Sequence, residues 1–161
     1  MTNRSTPVQA RSGVQAPGLI RLSGPIARRL LRAGIPMGPN GILTVRGRTT
    51  GQPRSAPVAV VELDGRRWVV GTFGEVHWVR NLRAAGEADL ELHGTTQHLR
   101  ATELALDERI AFFGGTLPAY VGSLPAVWRR FVGMFLRTVA PAIHDDPAAA
   151  AVSRPVFELH R

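Results

Sequence analysis

No cysteine occurs among the 161 residues, so neither a disulfide framework nor a thiolate-ligated metal site can form. Lysine is missing too: all 20 basic residues are arginine, a preference that a GC-rich coding sequence explains. Composition bias does not explain a third absence. No Asp or Glu precedes Glu62, while nine arginines do, so the first 61 residues carry +9. The remainder holds eleven arginines against twelve acids, a balance of −1. A one-signed field of this kind faces an anion, whether nucleic acid, an acidic membrane or a phosphorylated ligand. No Phe, Trp or Tyr occurs before Trp68. Single-strand binding interleaves basic groups with stacking rings, so no nucleic acid partner is expected. No run of about 18 apolar residues exists; residues 131–143 come nearest and are interrupted by Arg137 and Pro141. The N-terminal MTNRSTPVQARSG lacks the apolar core of a secretory signal, which makes a cytoplasmic, reducing setting the expectation.

What is present suits one domain: 44% of the residues are hydrophobic and only 20% charged. Residues 1–22 are rich in Pro, Gly, Ser, Gln and Arg without periodicity and read as a flexible basic arm. The domain is expected over 23–161. Ser23-Gly24-Pro25 is a helix-start pattern, followed by Ile26, Leu30 and Ala33 on one face and Arg28, Arg29 and Arg32 on the other. Such a helix either caps the domain or lies on an anionic membrane, a peripheral contact through residues 1–34.

From residue 41 the pattern turns to strands. Residues 42–46, 54–63 and 67–72 read as three antiparallel strands, the second and third joined by Asp64-Gly65, the strongest hairpin signal in the chain. Pro57 marks an edge or bulge in the second. A helix is expected over 76–85, stopped by Gly86, then strands over 88–93 and 97–104 around a Gly94-Thr95 turn. Asp107 reads as the cap of a helix over 108–113. From Leu124 onward, Val127, Trp128, Phe131, Phe135 and Val139 recur at helical steps and are expected to pack in the core. Residues 155–159 (PVFEL) return as a last strand. Five or six short antiparallel strands with one inserted helix exclude a doubly wound parallel sheet. They fit a mainly β fold with flanking helices, a small closed or half-closed barrel.

The chain carries no HExxH, GxSxG, phosphate loop or GxGxxG, and the five histidines are scattered, so no metal site is expected. Asp145-Asp146 reads as a solvated turn. One stretch concentrates chemistry: Arg46-Gly-Arg48-Thr-Thr50-Gly51-Gln-Pro-Arg54-Ser-Ala-Pro57. Planar guanidinium forks grip phosphate or carboxylate oxygens in pairs, and glycine lets backbone N–H groups approach an anion. An exposed arginine rim on an ordinary hairpin is the other reading. A second stretch, Val70-Gly71-Thr72-Phe73-Gly74 followed by His77-Trp78-Val-Arg-Asn81-Leu82, offers small residues for a flat ligand. One helical turn separates Trp78 from Asn81, so they share a side. Trp78 is either an apolar wall or core, and Asn81 either a ligand contact or a brace for the turn.

In this order the two stretches resemble the deazaflavin-dependent nitroreductase family, whose members bind coenzyme F420 on an antiparallel split β-barrel of the flavin-reductase, FMN-binding type. The family's G-R-x-S/T-G-x-x-R-x-x-P falls on Gly47, Arg48, Thr50, Gly51, Arg54 and Pro57; its Ser/Thr-x-Gly on Thr72 and Gly74; its W-x-x-N-L on Trp78, Asn81 and Leu82. The resemblance runs over roughly residues 25–160. It implies that Arg48, Thr50 and Arg54 hold the phosphate and glutamate tail, that Thr72, Phe73 and Gly74 line the ring, and that Trp78 and Asn81 close the site. It also implies hydride transfer from the ring's carbon-five position to a quinone, an enone or a nitroaromatic. Two departures stand out. Thr49 occupies a commonly basic position, and the segment between Gly74 and Trp78 is only Glu-Val-His. No catalytic acid is evident; Tyr120 and Ser123, on a Pro/Gly-bounded segment, are the candidates for the substrate side. A homodimer is expected by analogy with small split barrels, and association with a membrane where the acceptor is a lipid-soluble quinone. FMN on the same fold, or a non-enzymatic module binding anions or membranes, are the alternatives.

Overall fold

The computed structural model describes residues 40–161. The proposed arm over 1–22 and the helix expected after Ser23 lie outside the described residues. Six strands, β1 (Asn40–Arg46), β2 (Pro53–Leu63), β3 (Arg66–Val70), β4 (Glu87–Leu92), β5 (Thr95–Glu103) and β6 (Val156–His160), close into a barrel in the order β1-β2-β3-β6-β5-β4. Every pairing is antiparallel. Helix α1 (His77–Ala85) stands between β3 and β4. After β5 come α2 (Leu106–Ala111), a π-helical turn over Phe112–Thr116, and α3 (Leu117–Ser123). Helices α4 (Ala126–Val139), α5 (Pro141–Asp145) and α6 (Pro147–Ser153) then lead into β6. The antiparallel split-barrel class expected from the sequence is the fold observed.

Strand alternation divides the core in two. Leu43, Val45, Val58, Val60, Val69, Phe157 and Leu159 point into the barrel, where Val79 and Leu82 of α1 join them. On the other face of the same strands, Val61, Trp68, Val70 and Val156 meet Phe112, Phe113, Leu117, Tyr120, Ile143, Ala150 and Ala151 of the later helices. Strands buried on both faces carry continuous apolar runs such as Val58-Ala-Val-Val61. The β2–β3 hairpin turns through Asp64 (φ 51°) and Gly65 (φ 75°), the paired positive φ values of a type I′ turn. Pro57 sits where β2 pairs with β1 alone, since pairing to β3 begins at Ala59. The missing N–H therefore lies on a locally open edge.

Several expectations need correction. Only part of the stripe expected from Leu124 onward is covered: Leu124 packs on the outer core and Trp128 is half-buried, whereas Val127 is 77% exposed, Phe131 49% and Phe135 38%, and the Val139 side chain lies outside the described residues. Periodicity identifies an apolar face but not what it faces. Asp107 lies inside α2, whose N-terminus is at Ala105; Glu108 reaches back instead, its carboxylate accepting from the Ala105 N–H at 2.7 Å. Between β4 and β5 the turn is His93-Gly94, both at positive φ, rather than Gly94-Thr95. Strand β3 stops at Val70, so Thr72 is in a loop. Asp146 is not merely solvated: it caps α6, accepting from the Ala149 N–H at 3.0 Å.

Candidate functional site

The β1–β2 turn is closed by two backbone bonds, Gly47 N–H to the Gln52 carbonyl and Gly51 N–H to the Gly47 carbonyl, both 2.8 Å. Gly51 adopts φ 69°, and a side chain at Gly47 would bring its Cβ to 3.0 Å from the Gln52 oxygen. These two N–H groups are spent inside the turn and are not donors for an anion. Arg46, Arg48 and Arg54 are exposed, and no carboxylate lies within 4 Å of any of them among the described residues. The acidic groups that pair arginines elsewhere, Glu62 with Arg67 and Glu158 with Arg66, are held in their own cross-strand contacts.

One of the three arginines is oriented. Asn81, 7% exposed and the only buried polar residue of the described chain, accepts through Oδ1 from the Arg48 backbone N–H (3.3 Å) and from its Nη1 (3.0 Å). Helix α1 thereby holds the turn from 33 residues away in sequence. The oxygen of Asn81 is thus committed to Arg48: of the two sequence readings, the brace is the geometry observed. Beside the turn, Thr44 and Ser55 share a hydroxyl–hydroxyl bond of 2.9 Å, and Thr50 Oγ1 faces the Gln52 N–H at 3.4 Å. Pro57 and Gly51 are exposed on the same segment.

The second stretch is held from below by the chain's C-terminal part. Gly71 donates to the Pro155 carbonyl and Gly74 to the Gly71 carbonyl, each at 2.8 Å. The Nη1 of Arg154 donates to the Thr72 carbonyl. Arg154 is partly withdrawn from water, which lowers its pKa, and its Nε has no partner among the described residues. A Cβ on Gly71 would sit 2.9 Å from Pro155, so the loop and β6 meet backbone to ring. Phe73 is 42% exposed at the crest of this loop, with Thr72 and Gly74 half-buried. Behind it Glu75 pairs with Arg83 (2.6 Å), which also grips Glu103 (2.5 Å). The Arg83 guanidinium holds the Glu75 carboxyl below the ordinary range. Trp78 is half-buried against the barrel interior, its ring 6.4 Å from that of Phe157. Leu82 is fully buried there, so it seats α1 and has no surface for a ligand.

Tyr120 and Ser123 do not join this group. Tyr120 lies in the outer core, where burial first and the Glu62 charge second push its hydroxyl up to about 12. Ser123 Oγ donates to the Tyr120 carbonyl at 2.7 Å. Tyr120 shares that core with Val61 of β2 and Val70 of β3, on the outer face of the barrel strands. One element of the site gave no sequence signal: the strut from Arg154.

The residues present fit an elongated ligand with an anionic tail: three unneutralised guanidiniums with hydroxyls among them, then a small-residue loop and an apolar wall. Among solved structures, an F420-H2-dependent reductase (FDR-A) superposes with a TM-score of 0.48 at 20% identity, covering 76% of this chain and 94% of its own. A protein of the pyridoxinephosphate oxidase family from Clostridium acetobutylicum gives 0.45 at 11%, covering 84% and 80%. A heme binding protein from Mycobacterium smegmatis gives 0.46 at 14%, covering 81% and 48%. No curated protein matches. The family described as F420H(2)-dependent quinone reductase matches residues 21–123, which include the whole arginine turn, the 71–76 loop and α1. The chain belongs to the F420H2-dependent quinone reductase family, oxidoreductases whose hydride donor is reduced coenzyme F420.

Proposed function

We propose that this protein reduces a quinone with reduced coenzyme F420, and that the β1–β2 turn is where it holds the cofactor's acidic tail. The observation that carries the reading is Arg48, fixed by Asn81 and facing no carboxylate, in the segment of the chain that matches the family. Arg48, with Arg54 and Thr50, would bind phosphate and carboxylate oxygens, because guanidinium forks lose little freedom in doing so. Thr72, Phe73, Gly74 and Trp78 would form the wall for the flat ring. When bound, the deazaflavin supplies a hydride and, lacking the flavin nitrogen at that position, disfavours one-electron chemistry with oxygen.

The chain's own contribution is positioning and exclusion of water. Asn81 sets the direction of Arg48. Arg154 and Pro155 set the height of the 71–74 loop. Phe73, exposed at the crest of that loop, would cover the ring and keep solvent from it. Nothing in the arrangement supplies an acid at this end of the barrel, so Tyr120 and Ser123 are assigned to packing, and the proton that completes quinone reduction would come from solvent.

The test is a fluorescence titration of the full chain with F420 and with FMN, repeated for Arg48→Ala/Arg54→Ala, followed by turnover against a quinone and a nitroaromatic. F420 binding lost in the double variant at unchanged melting temperature, with turnover of the quinone, supports the proposal. Equal binding by the double variant, or a preference for FMN, refutes it.

A further inference from the structure

The backbone bonding of the 71–76 loop leaves one peptide unit out. Gly74 N–H closes a four-residue turn on the Gly71 carbonyl, with Thr72 and Phe73 at its centre, and Val76 N–H bonds to the Gly74 carbonyl. Gly71 and Thr72 donate to the Pro155 and Val70 carbonyls. The Thr72–Phe73 peptide takes no part in these bonds. Its carbonyl accepts from Arg154 Nη1 instead, and the Phe73 N–H has no partner among the described residues. All peptides of the described chain are trans, so this N–H points away from the arginine that its carbonyl faces. Turning the peptide over into a type II turn would require a positive φ at Phe73, a conformation that Asp64 and His93 alone adopt among the described non-glycine residues.

We propose that Arg154 is a positioning residue that makes the Phe73 N–H a strengthened hydrogen-bond donor for a carbonyl or anionic oxygen of the ligand seated on this loop. Charge distinguishes it from an ordinary strut. No carboxylate lies within 4 Å of Arg154 among the described residues, and burial alone pulls its pKa down. Arg83, behind the same loop, is by contrast neutralised by Glu75 and Glu103. An unneutralised guanidinium on a carbonyl draws electron density from the peptide and leaves the N–H at its far end a better donor. A donor fixed in advance contributes most where charge builds up on the acceptor, as on a ring carbonyl conjugated with a carbon that gains or loses hydride. Arg154 lies beyond residues 21–123, the segment that matches the family. The inference rests on the reading of the 71–74 loop as the wall for the cofactor ring.

The experiment compares the isotope-labelled full chain with Arg154→Lys and Arg154→Ala, reading the Phe73 amide resonance, the melting temperature and a titration with oxidised F420. In the free chain the Phe73 amide proton moves upfield in Arg154→Ala and stays near its wild-type position in Arg154→Lys. F420 affinity falls about tenfold in Arg154→Ala and less than about threefold in Arg154→Lys. Guanidinium chloride, at concentrations too low to unfold the chain, restores affinity to Arg154→Ala; urea, planar and with N–H donors but uncharged, does not. Equal rescue by urea means that Arg154 acts as a neutral strut, and it overturns the proposal. So does a Phe73 amide that Arg154→Ala leaves unmoved, or one that bound F420 leaves unmoved. A wild type that binds no F420 refutes the cofactor reading, and the amide shift of the free chain then decides by itself whether Arg154 polarises this peptide.

Discussion

Replacing Asn81 by alanine removes a single acceptor oxygen that two donors of Arg48 share, and its effects can be worked out separately for stability and for binding. Two hydrogen bonds are lost, one of them to a charged donor, a change of about 1–3 kcal/mol. Arg48 is exposed, so water takes over part of what Asn81 provided, and the lower half of that range applies: about 1–2 kcal/mol. For a chain of this size that lowers the melting temperature by about 3–6 °C. Arg48→Ala keeps the backbone bond to Asn81 and so costs less stability, yet it removes the guanidinium itself. The two variants therefore separate. Asn81→Ala should lose more in melting, while Arg48→Ala should lose more in F420 affinity; Asn81→Ala alone weakens the cofactor by about tenfold because the fork is no longer pre-aimed. Thermal melting and F420 fluorescence titration read the two quantities. Wild-type melting and wild-type affinity in Asn81→Ala would refute the tether, and an equal affinity loss in Asn81→Ala/Arg48→Ala and in Arg48→Ala alone would show that Asn81 acts only through Arg48.

Gly71→Ala places a methyl 2.9 Å from Pro155 and should cost about 1–3 kcal/mol in urea unfolding, with F420 affinity falling alongside as the loop lifts. Arg154→Met removes the donor to the Thr72 carbonyl and should weaken F420 more than it lowers the melting temperature. Tyr120→Phe should leave quinone turnover unchanged. Because the folded hydroxyl holds its proton to about 12, stability falls as pH rises from the unfolded value of 10 toward 12, and Tyr120→Phe removes that alkaline loss in melting curves. Glu75 and Glu158 have lowered pKa values through Arg83 and Arg66, so their contribution is present above the ordinary carboxylate range and disappears as pH falls below it. Glu75 is substantially solvent-facing, so Glu75→Gln should cost less than about 1 kcal/mol at neutral pH and flatten the acid limb of the melting profile.

Much of the barrel was legible in the linear chain because its signals are local. Asp64-Gly65 demands two positive φ values that few other pairs tolerate, and the short apolar, valine-rich run from Val58 to Val61 suits a strand buried on both faces. Gly86 stops α1 in the left-handed conformation, as its position after Ala85 implied. The arginine turn was legible too, since three guanidiniums within nine residues and an acid-free first third depend on composition alone. Three features were decided only by the tertiary structure. Whether Asn81 meets a ligand or the turn depended on where α1 lands relative to β1 and β2, a contact between distant segments. Arg154 lies 82 residues from Thr72, and only the return of β6 beside β3 brings them together. On α4 an apolar stripe satisfied the pattern of a core helix, but the outer core was already filled by Phe112, Phe113, Leu117 and Tyr120, which left Val127, Phe131 and Met134 facing outward. Periodicity reports which residues share a face; which face is covered is settled by the volume the other elements leave.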